Sequence, residues 1–344
     1  MKRIRKLFLT ALVCLAAIFG ALGFSSCSLI KENLTWENDG VLYYQLSLDK
    51  ESYSVVGLYD DSVSEVVIPA IFHDKPVVSV DGLYEKEIDF LGMRIREEAS
   101  SWDNLSLQQI TISDGVTSIG SSVFRRCYAL KYVEIPASVT SIGDYAFYNC
   151  SKLTNVENGN GVQSVGNSAF AYCTDLVSIG LGNSVQSLGD FAFAHCSSLT
   201  SMIMGDNVQS IGNSAFYKCS ALSNVKLGDS IQSIGDFAFA YCSSFTSVDI
   251  GDNVKTLGNA TFSYCSDLTD VVFGKNLNAI GEGVFAFCPN LKSIVFEDTD
   301  TWYRANNSKD WENRSRGIKT DVADADVNVI NFGSTYRWAY WYKL

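Results

Sequence analysis

Eight cysteines recur at a strict interval of 23 residues through the middle of this 344-residue chain. The third residue after each cysteine is leucine in seven windows and Phe245 in the remaining one, and the sixth is Val, Ile or Met. A fixed period in the twenties is typical of a solenoid, in which each coil buries its apolar side chains only against its neighbours. The chain is therefore predicted to form one elongated core rather than two or three compact domains. The cysteines are Cys127, Cys150, Cys173, Cys196, Cys219, Cys242, Cys265 and Cys288.

The residues within one repeat predict three segments. After Cys127, residues 130–135 alternate between apolar and polar and end at a proline, which indicates a strand and a turn. A second short extended piece, 139–142, ends at a glycine. Asp or Asn follows that glycine in the six repeats from Asp144 to Asn259, and Glu282 follows it in the last full repeat. This position suits the N-cap of a short helix. Ala146, Phe147 and Cys150 would share the buried face of that helix.

The repeated unit resembles the BspA-like leucine-rich repeat family of bacterial surface proteins, whose pattern is C-x-x-L-x-x-V-x-I-P-x-x-V-x-x-I-G-x-x-A-F-x-x. The resemblance covers residues 104–296 without an insertion or deletion. It implies an α/β leucine-rich repeat solenoid of 23-residue coils, each with short parallel strands and a short helix, between N- and C-terminal caps. It also implies a surface-anchored module for adhesion or protein binding, whereas the periodicity by itself indicates only a solenoid.

The domain organisation follows from the limits of the repeat. Residues 27–103 are predicted to hold a linker, a degenerate capping repeat and a charged insertion, and residues 104–298 eight full repeats and a final strand. Residues 299–344 contain four of the six tryptophans and are predicted to cap the last coil. The alternative for this aromatic segment is a sugar-binding platform. Its tryptophans are Trp302, Trp311, Trp338 and Trp341.

The first 26 residues read as a secretion signal, with a basic start and then an apolar stretch. The run that ends in Ser25, Ser26 and Cys27 resembles a bacterial lipobox, in which the cysteine becomes the lipidated first residue of the mature protein. We therefore expect an exported protein that a lipid on Cys27 anchors to the outer membrane or cell surface. The alternatives are an ordinary signal peptide and a retained anchor.

Charge and composition exclude several classes of function. A formal net charge of -12 argues against nucleic acid as a partner, because phosphate binding needs clustered Lys and Arg. Two histidines, His73 and His195, leave little material for His-based catalysis or metal binding. We expect no catalytic residues, no metal, no cofactor and no enzymatic activity, and a calcium site along the Asp/Asn row is disfavoured because amides alternate with the acids.

The cysteine column has three possible roles. Cysteines of neighbouring coils would lie about 4.8 Å apart, which is within disulfide range. Equivalent thiols that point the same way into a packed core are poorly oriented for pairing, however, and buried cysteine behaves as a small apolar residue. The sequence favours free buried thiols over disulfides or a metal site.

The binding face is predicted on the helical edge, where two positions four residues apart collect aromatic side chains across seven coils. Exposed apolar strips usually mark partner surfaces, so this band is the candidate site for a protein ligand, such as a host matrix or cell-surface protein. The alternative ligand is a polysaccharide, and the alternative role is edge-to-edge packing that closes the side of the solenoid. The residues are Tyr145, Tyr172, Phe191, His195, Phe237, Tyr241, Tyr264 and Phe287.

Overall fold

The structure is a computed structural model, and it describes residues 36–47, 49–58, 60, 62–81, 88–90, 93–95, 106–298, 302–305, 318–320, 322, 328, 332 and 339–343. The signal segment, Cys27, Trp311 and Trp338 lie outside these residues. Within the described residues, eight strands precede the regular repeats. They are β1 (Trp36–Asn38), β2 (Leu42–Leu46), β3 (Tyr53–Leu58), β4 (Glu65–Ile68), β5 (Ile71–Phe72), β6 (Lys75–Val80), β7 (Ile88–Phe90) and β8 (Met93–Ile95).

Each repeat contributes a longer strand to one face of the solenoid, named here the long-strand face. Residues one period apart pair in parallel, as Val133 does with Val156. With β4, this face comprises β9 (Gln109–Ile112), β11 (Tyr132–Ile135), β13 (Asn155–Asn158), β15 (Ser178–Gly180), β17 (Ser201–Ile203), β19 (Asn224–Lys226), β21 (Ser247–Asp249), β23 (Asp270–Phe273) and β25 (Ser293–Phe296).

A two-residue strand from each repeat forms a second parallel face, the short-strand face. It continues β6 without interruption through about nine coils. The strands are β10 (Ser118–Ile119), β12 (Ser141–Ile142), β14 (Ser164–Val165), β16 (Ser187–Leu188), β18 (Ser210–Ile211), β20 (Ser233–Ile234), β22 (Thr256–Leu257) and β24 (Ala279–Ile280). The long-strand face, in contrast, is divided: one sheet ends at β19 and another begins at β21.

The core lies between these faces and consists of the columns that the sequence identifies. The Leu, Val, Ile, Phe and Cys columns are buried through almost the whole length of the solenoid. One phenylalanine per coil stacks on its neighbours, with ring centroids 5.0 to 5.8 Å apart. The column is Phe124, Phe147, Phe170, Phe193, Phe216, Phe239, Phe262 and Phe285.

The predicted short helix is wrong: residues 106–298 contain strands and turns but no helix. In the third segment of each coil the backbone bonds to the next coil, as Phe147 N–H donates to Ala169 O at 2.7 Å and Asn149 N–H to Ala171 O at 2.8 Å. The reason is spacing. Paired strands hold the coils about 4.8 Å apart, whereas packed helices need about 8–10 Å. In a turn, the backbone N–H and C=O groups can form hydrogen bonds to the neighbouring coil at a spacing of about 4.8 Å, so none of them is left without a partner.

The Asp/Asn row does not cap helices either. Each of these side chains accepts a hydrogen bond from the backbone N–H of the equivalent residue one coil later. Asp144 Oδ1, for example, accepts from Asn167 N–H at 2.6 Å, and Asn167 Oδ1 accepts from Asp190 N–H at 2.8 Å. The row continues to Glu282 N–H, which donates to Asn259 Oδ1 at 2.9 Å. These side chains therefore join the coils to one another.

Antiparallel strands extend the short-strand face beyond both ends of the parallel array. The order β1-β2-β3 precedes β6, and β28 (Tyr340–Lys343) pairs antiparallel with β24, followed by β26 (Trp302–Ala305) and β27 (Ile318–Thr320). Trp302 and Trp341 are 1% and 0% exposed, and Phe332 stacks on Trp341 with centroids 4.3 Å apart. These two tryptophans therefore cannot form a sugar platform. The part of the chain that the structure describes has no apolar helix long enough to cross a bilayer.

Candidate functional site

Two residues in the turn segment of each coil have left-handed backbone conformations. In one coil these are Tyr145, with φ of 58°, and Asn149, with φ of 60°. For residues other than glycine this conformation costs about 1–2 kcal/mol, and the hydrogen bonds between coils hold it. The aromatic residues predicted at these positions are indeed at the surface: six of the eight are 38% to 46% exposed, and His195 and Tyr241 are partly buried.

Eight rings at this edge form an unbroken series of contacts across seven coils, named here the aromatic ladder. Consecutive ring centroids are 4.3 to 5.7 Å apart. Three contacts are stacked: Tyr172 on His195, Tyr241 on Tyr264, and Tyr264 on Phe287. At about 4.8 Å per coil the aromatic ladder is about 30 Å long. In order, its members are Tyr145, Tyr148, Tyr172, His195, Tyr217, Tyr241, Tyr264 and Phe287.

Sequence reasoning missed two members of the aromatic ladder, Tyr148 and Tyr217. They occupy the position before the second left-handed residue, in the two coils where that residue is Asn149 or Lys218 rather than an aromatic. Each bridges its neighbours in edge-to-face contacts: Tyr148 contacts Tyr172 at 5.4 Å, and Tyr217 contacts Tyr241 at 5.4 Å. A signal was available in the sequence: in these two coils the position before the second left-handed residue is aromatic, and the left-handed residue itself is not.

Phe191 and Phe237, which the sequence placed in the same band, stand apart from the aromatic ladder. Each occupies the first left-handed position of its coil, with φ of 58° and 55°. They are 46% and 44% exposed and make no ring contact with another described residue. The eight predicted residues thus divide into six that the structure brings together and two separate surface rings.

Two cations lie over the aromatic ladder. The Arg125 guanidinium lies 5.4 Å from the centroid of Tyr148 and 6.0 Å from that of Tyr145. Lys218 Nζ lies 5.3 Å from the centroid of Tyr217 and 5.7 Å from that of Tyr241. All four distances are within the range of cation–π attraction.

The pKa shifts of two residues of the aromatic ladder favour their neutral forms near pH 7. Partial burial, with a smaller contribution from the charge of Lys218, lowers the pKa of His195 below its usual value. Burial also raises the pKa of Tyr241. The aromatic ladder is therefore an apolar strip beside two positively charged side chains, Arg125 and Lys218, on a chain whose formal net charge is -12.

The cysteine column offers no reactive group. The eight thiols are buried, and none of them forms a disulfide. Burial raises the pKa of Cys196 and Cys288 to about 12 and that of Cys150, Cys173, Cys219, Cys242 and Cys265 well above the usual value. A thiol that stays protonated is a poor nucleophile and a poor metal ligand. Among the described residues, no three His, Cys, Asp or Glu side chains are grouped to hold a metal ion.

The profile of the BspA type leucine rich repeat region, in six copies, matches residues 95–208 and 186–306. The chain belongs to the BspA-type leucine-rich repeat family. None of the curated proteins matches it. A leucine-rich repeat protein from Bacteroides ovatus ATCC 8483 is 23% identical, over 76% of this chain and 71% of that one, with a TM-score of 0.52. The T. pallidum leucine rich repeat protein is 21% identical, over 85% and 100%, with a TM-score of 0.49.

The family match and the Bacteroides ovatus structure establish the solenoid of 23-residue leucine-rich repeats. At this level of identity the likeness to the Bacteroides ovatus structure concerns the fold alone. It gives the aromatic ladder no ligand, so the function of this site is argued from its own geometry.

Proposed function

We propose that the protein is a non-enzymatic binding module that a lipid on Cys27 presents at the cell surface, and that the aromatic ladder binds a protein ligand in adhesion. The observation that supports this proposal is the continuity of surface rings over seven coils, of which four are exposed and four are partly buried. Contiguous exposed apolar surface of this kind usually marks a partner site. Tyr and Arg, the residues enriched at binding hot spots, are both present in it.

The stacking geometry favours a protein over a polysaccharide. Sugar rings bind to the open faces of aromatic side chains. In the aromatic ladder Tyr264 lies between Tyr241 and Phe287, with both ring faces covered by stacking partners 4.3 and 4.4 Å away. Ring edges and phenol hydroxyls remain for a ligand, and these suit the mixed apolar and hydrogen-bonding surface of a protein partner.

Two further features belong to this proposal. The anchor would leave the solenoid outside the cytoplasm, where a host matrix protein or another surface protein can reach it.

The antiparallel strands at both ends would act as caps, because the last parallel strand would otherwise expose its apolar residues and its open edge. The pairing of β28 with β24 supports this role at the C-terminal end.

The test uses the full-length protein in liposomes, presented to arrays of extracellular-matrix proteins, bacterial surface proteins and glycans. The ladder variant is Tyr172→Asn with Tyr264→Asn, because Asn149 already occupies the equivalent position and Asn adopts left-handed conformations readily. We expect binding to a protein on the array that this variant weakens at least tenfold.

The matched control is Phe191→Ser with Phe237→Ser. It removes two exposed rings outside the aromatic ladder and copies Ser168 and Ser214, which have the same left-handed backbone. Binding of the control should equal that of the unmodified protein. Equal losses in both variants, or binding to glycans alone, would contradict the proposal.

A further inference from the structure

The long-strand face opens at one place, between β19 and β21, and we name this opening the strand gap. The short-strand face is intact at the same level, because Ser233 and Ile234 of β20 pair with Thr256 and Leu257 of β22. The two coils also remain joined on either side of the opening. Ser244 N–H donates to Ser220 O at 3.2 Å, and Asn253 Nδ2 donates to Asp229 O at 2.6 Å. The strand gap is therefore local and has fixed ends.

The cause of the strand gap lies in the leucine column. Phe245 is the one aromatic residue at a position that is leucine in the other seven repeats. It is 1% exposed, and its ring contacts Phe239 at 5.7 Å and Phe262 at 6.3 Å. A phenylalanine ring in a site sized for leucine must displace the neighbouring side chains or backbone, since the interior is close-packed. β21 follows Phe245 by two residues, so the displacement falls on the pairing of β21 with β19.

The glycines of the adjoining turn confirm that the coils separate here. A Cβ atom added at Gly205, Gly228 or Gly274 would collide with the carbonyl of the glycine one coil earlier. At Gly251 no heavy atom lies within 4 Å of that position. Two inward-facing side chains, Val225 and Leu227, are left only partly buried.

The resulting cavity has a volume of about 480 Å³. Leu227 contributes to its apolar part, and four exposed carboxylates surround it: Asp229, Asp249, Asp252 and Glu297. The one lysine in its lining, Lys275, lies 3.3 Å from Asp252 and 3.7 Å from Glu297. The backbone groups of β19 and β21 that face the opening have no strand partner, and such edges accept an added strand.

We propose that the strand gap binds an extended segment of a partner protein in which Lys or Arg alternates with apolar residues. The backbone of the segment pairs with the open strand edges. Its apolar side chains cover Val225 and Leu227, and its cations contact the carboxylates of Asp229 and Asp249. Alternation follows from strand geometry, because successive side chains of an extended segment point to opposite sides. This site is separate from the aromatic ladder.

The experiment measures fluorescence anisotropy of a labelled peptide, Lys-Val-Lys-Val-Lys-Val amide, with the full-length protein in detergent micelles. The Glu-Val-Glu-Val-Glu-Val amide serves as the counterpart of opposite charge. We expect saturable binding of the basic peptide and none of the acidic one. Three variants then locate the site: two replace uncharged residues by uncharged ones, and the third adds a positive charge.

Phe245→Leu restores the residue of the other seven repeats, so this variant should fold, and it should close the strand gap without altering any charge. We expect at least tenfold weaker binding and slower hydrogen exchange in 247–249. Leu227→Arg places a cation in the cavity and should weaken binding to a similar extent whether or not the gap closes. The ladder variant Tyr172→Asn with Tyr264→Asn should bind the peptide like the unmodified protein.

Absence of binding by the unmodified protein overturns the proposal. Unchanged binding by Leu227→Arg also overturns it, because the peptide is then attracted by the acidic surface in general. If the ladder variant alone loses the peptide, the basic segment binds the aromatic ladder and the strand gap is not the site. Failure of the adhesion arrays leaves these measurements unaffected, so the two proposals are tested independently.

Discussion

At the scale of single residues, seven of the eight repeat cysteines, from Cys150 to Cys288, bond to the coil before their own. Cys150 Sγ donates to Phe124 O at 3.1 Å, and six further cysteines make the same bond at 3.1 to 3.3 Å. A buried carbonyl thereby gains a donor without a strongly polar side chain. Cysteine is the residue that is small, apolar and able to donate, which accounts for its place in the core.

The first prediction concerns the pH dependence of stability. The seven thiols with raised pKa stay protonated in the folded protein, whereas an unfolded thiol ionises near pH 8.5. The unfolded state therefore binds fewer protons above that pH, and the free energy of unfolding should fall by about 1.4 kcal/mol per pH unit for each thiol. This stability is fully present below about pH 8.

Urea denaturation between pH 7 and 9 measures this slope. Cys196→Ala is the control. This variant should reduce the dependence of the free energy of unfolding on pH by the contribution of one thiol. A denaturation midpoint that is constant over this range would show that the thiols are ionised or oxidised in the folded protein.

At the scale of the element, the short strand ends in glycine because the coils approach each other closely there. A Cβ atom on Gly212 would lie 2.6 Å from the carbonyl carbon of Gly189 and 2.7 Å from the nitrogen of Asp190. Both contacts are to backbone, which cannot move without breaking the pairing of the coils. The same glycine recurs in every coil for this reason.

The second prediction compares two glycines. Gly212→Ala should destabilise the protein by about 1–3 kcal/mol through overpacking. Gly180→Ala is the matched control, because no heavy atom lies within 4 Å of its added Cβ. It should be neutral or stabilising by about 0.4–1 kcal/mol, since alanine restricts the unfolded chain. Thermal denaturation of the two variants measures the difference, and equal shifts in midpoint would contradict the close approach.

At the scale of the whole molecule, stability depends on the stacking of coils rather than on any one coil. Parallel pairing on both faces, the stacked phenylalanines and the Asp/Asn bonds all join residues 23 positions apart. Such an array presents one long surface, which the proposed lipid on Cys27 would project away from a membrane. The position of Cys27, before the first coil, suits that arrangement.

The third prediction is that Cys27 carries lipid. Cells that express the full-length chain should incorporate a palmitate analogue into it, and Cys27→Ala should abolish the label. Cys196→Ala is the control for a cysteine inside the folded solenoid and should be labelled like the unmodified chain. Equal labelling of the Cys27→Ala chain, or no labelling of any chain, would contradict the anchor.

The candidate site was partly predictable. Exposure of the aromatic band followed from its position relative to the Ala, Phe and Cys columns, and the structure confirms it. The membership of Tyr148 and Tyr217 depended on ring positions in two adjacent coils, which a column-by-column comparison does not contain. The strand gap was equally hidden, although its cause, Phe245, was visible in the sequence, because the effect of an extra ring depends on how tightly its surroundings pack.

A constant period returns the same side chain to the same place in each coil, so the amino-acid sequence specifies the number of coils, their parallel register and the inward columns. That the third segment is a turn, and that Asp144 and its equivalents bond between coils, follows from how the coils pack. The spacing set by two strand-paired faces is too small for a helix, and local residue preferences carry no information about that spacing. The distance between coils therefore determines the conformation of the third segment, which the period of the sequence does not specify.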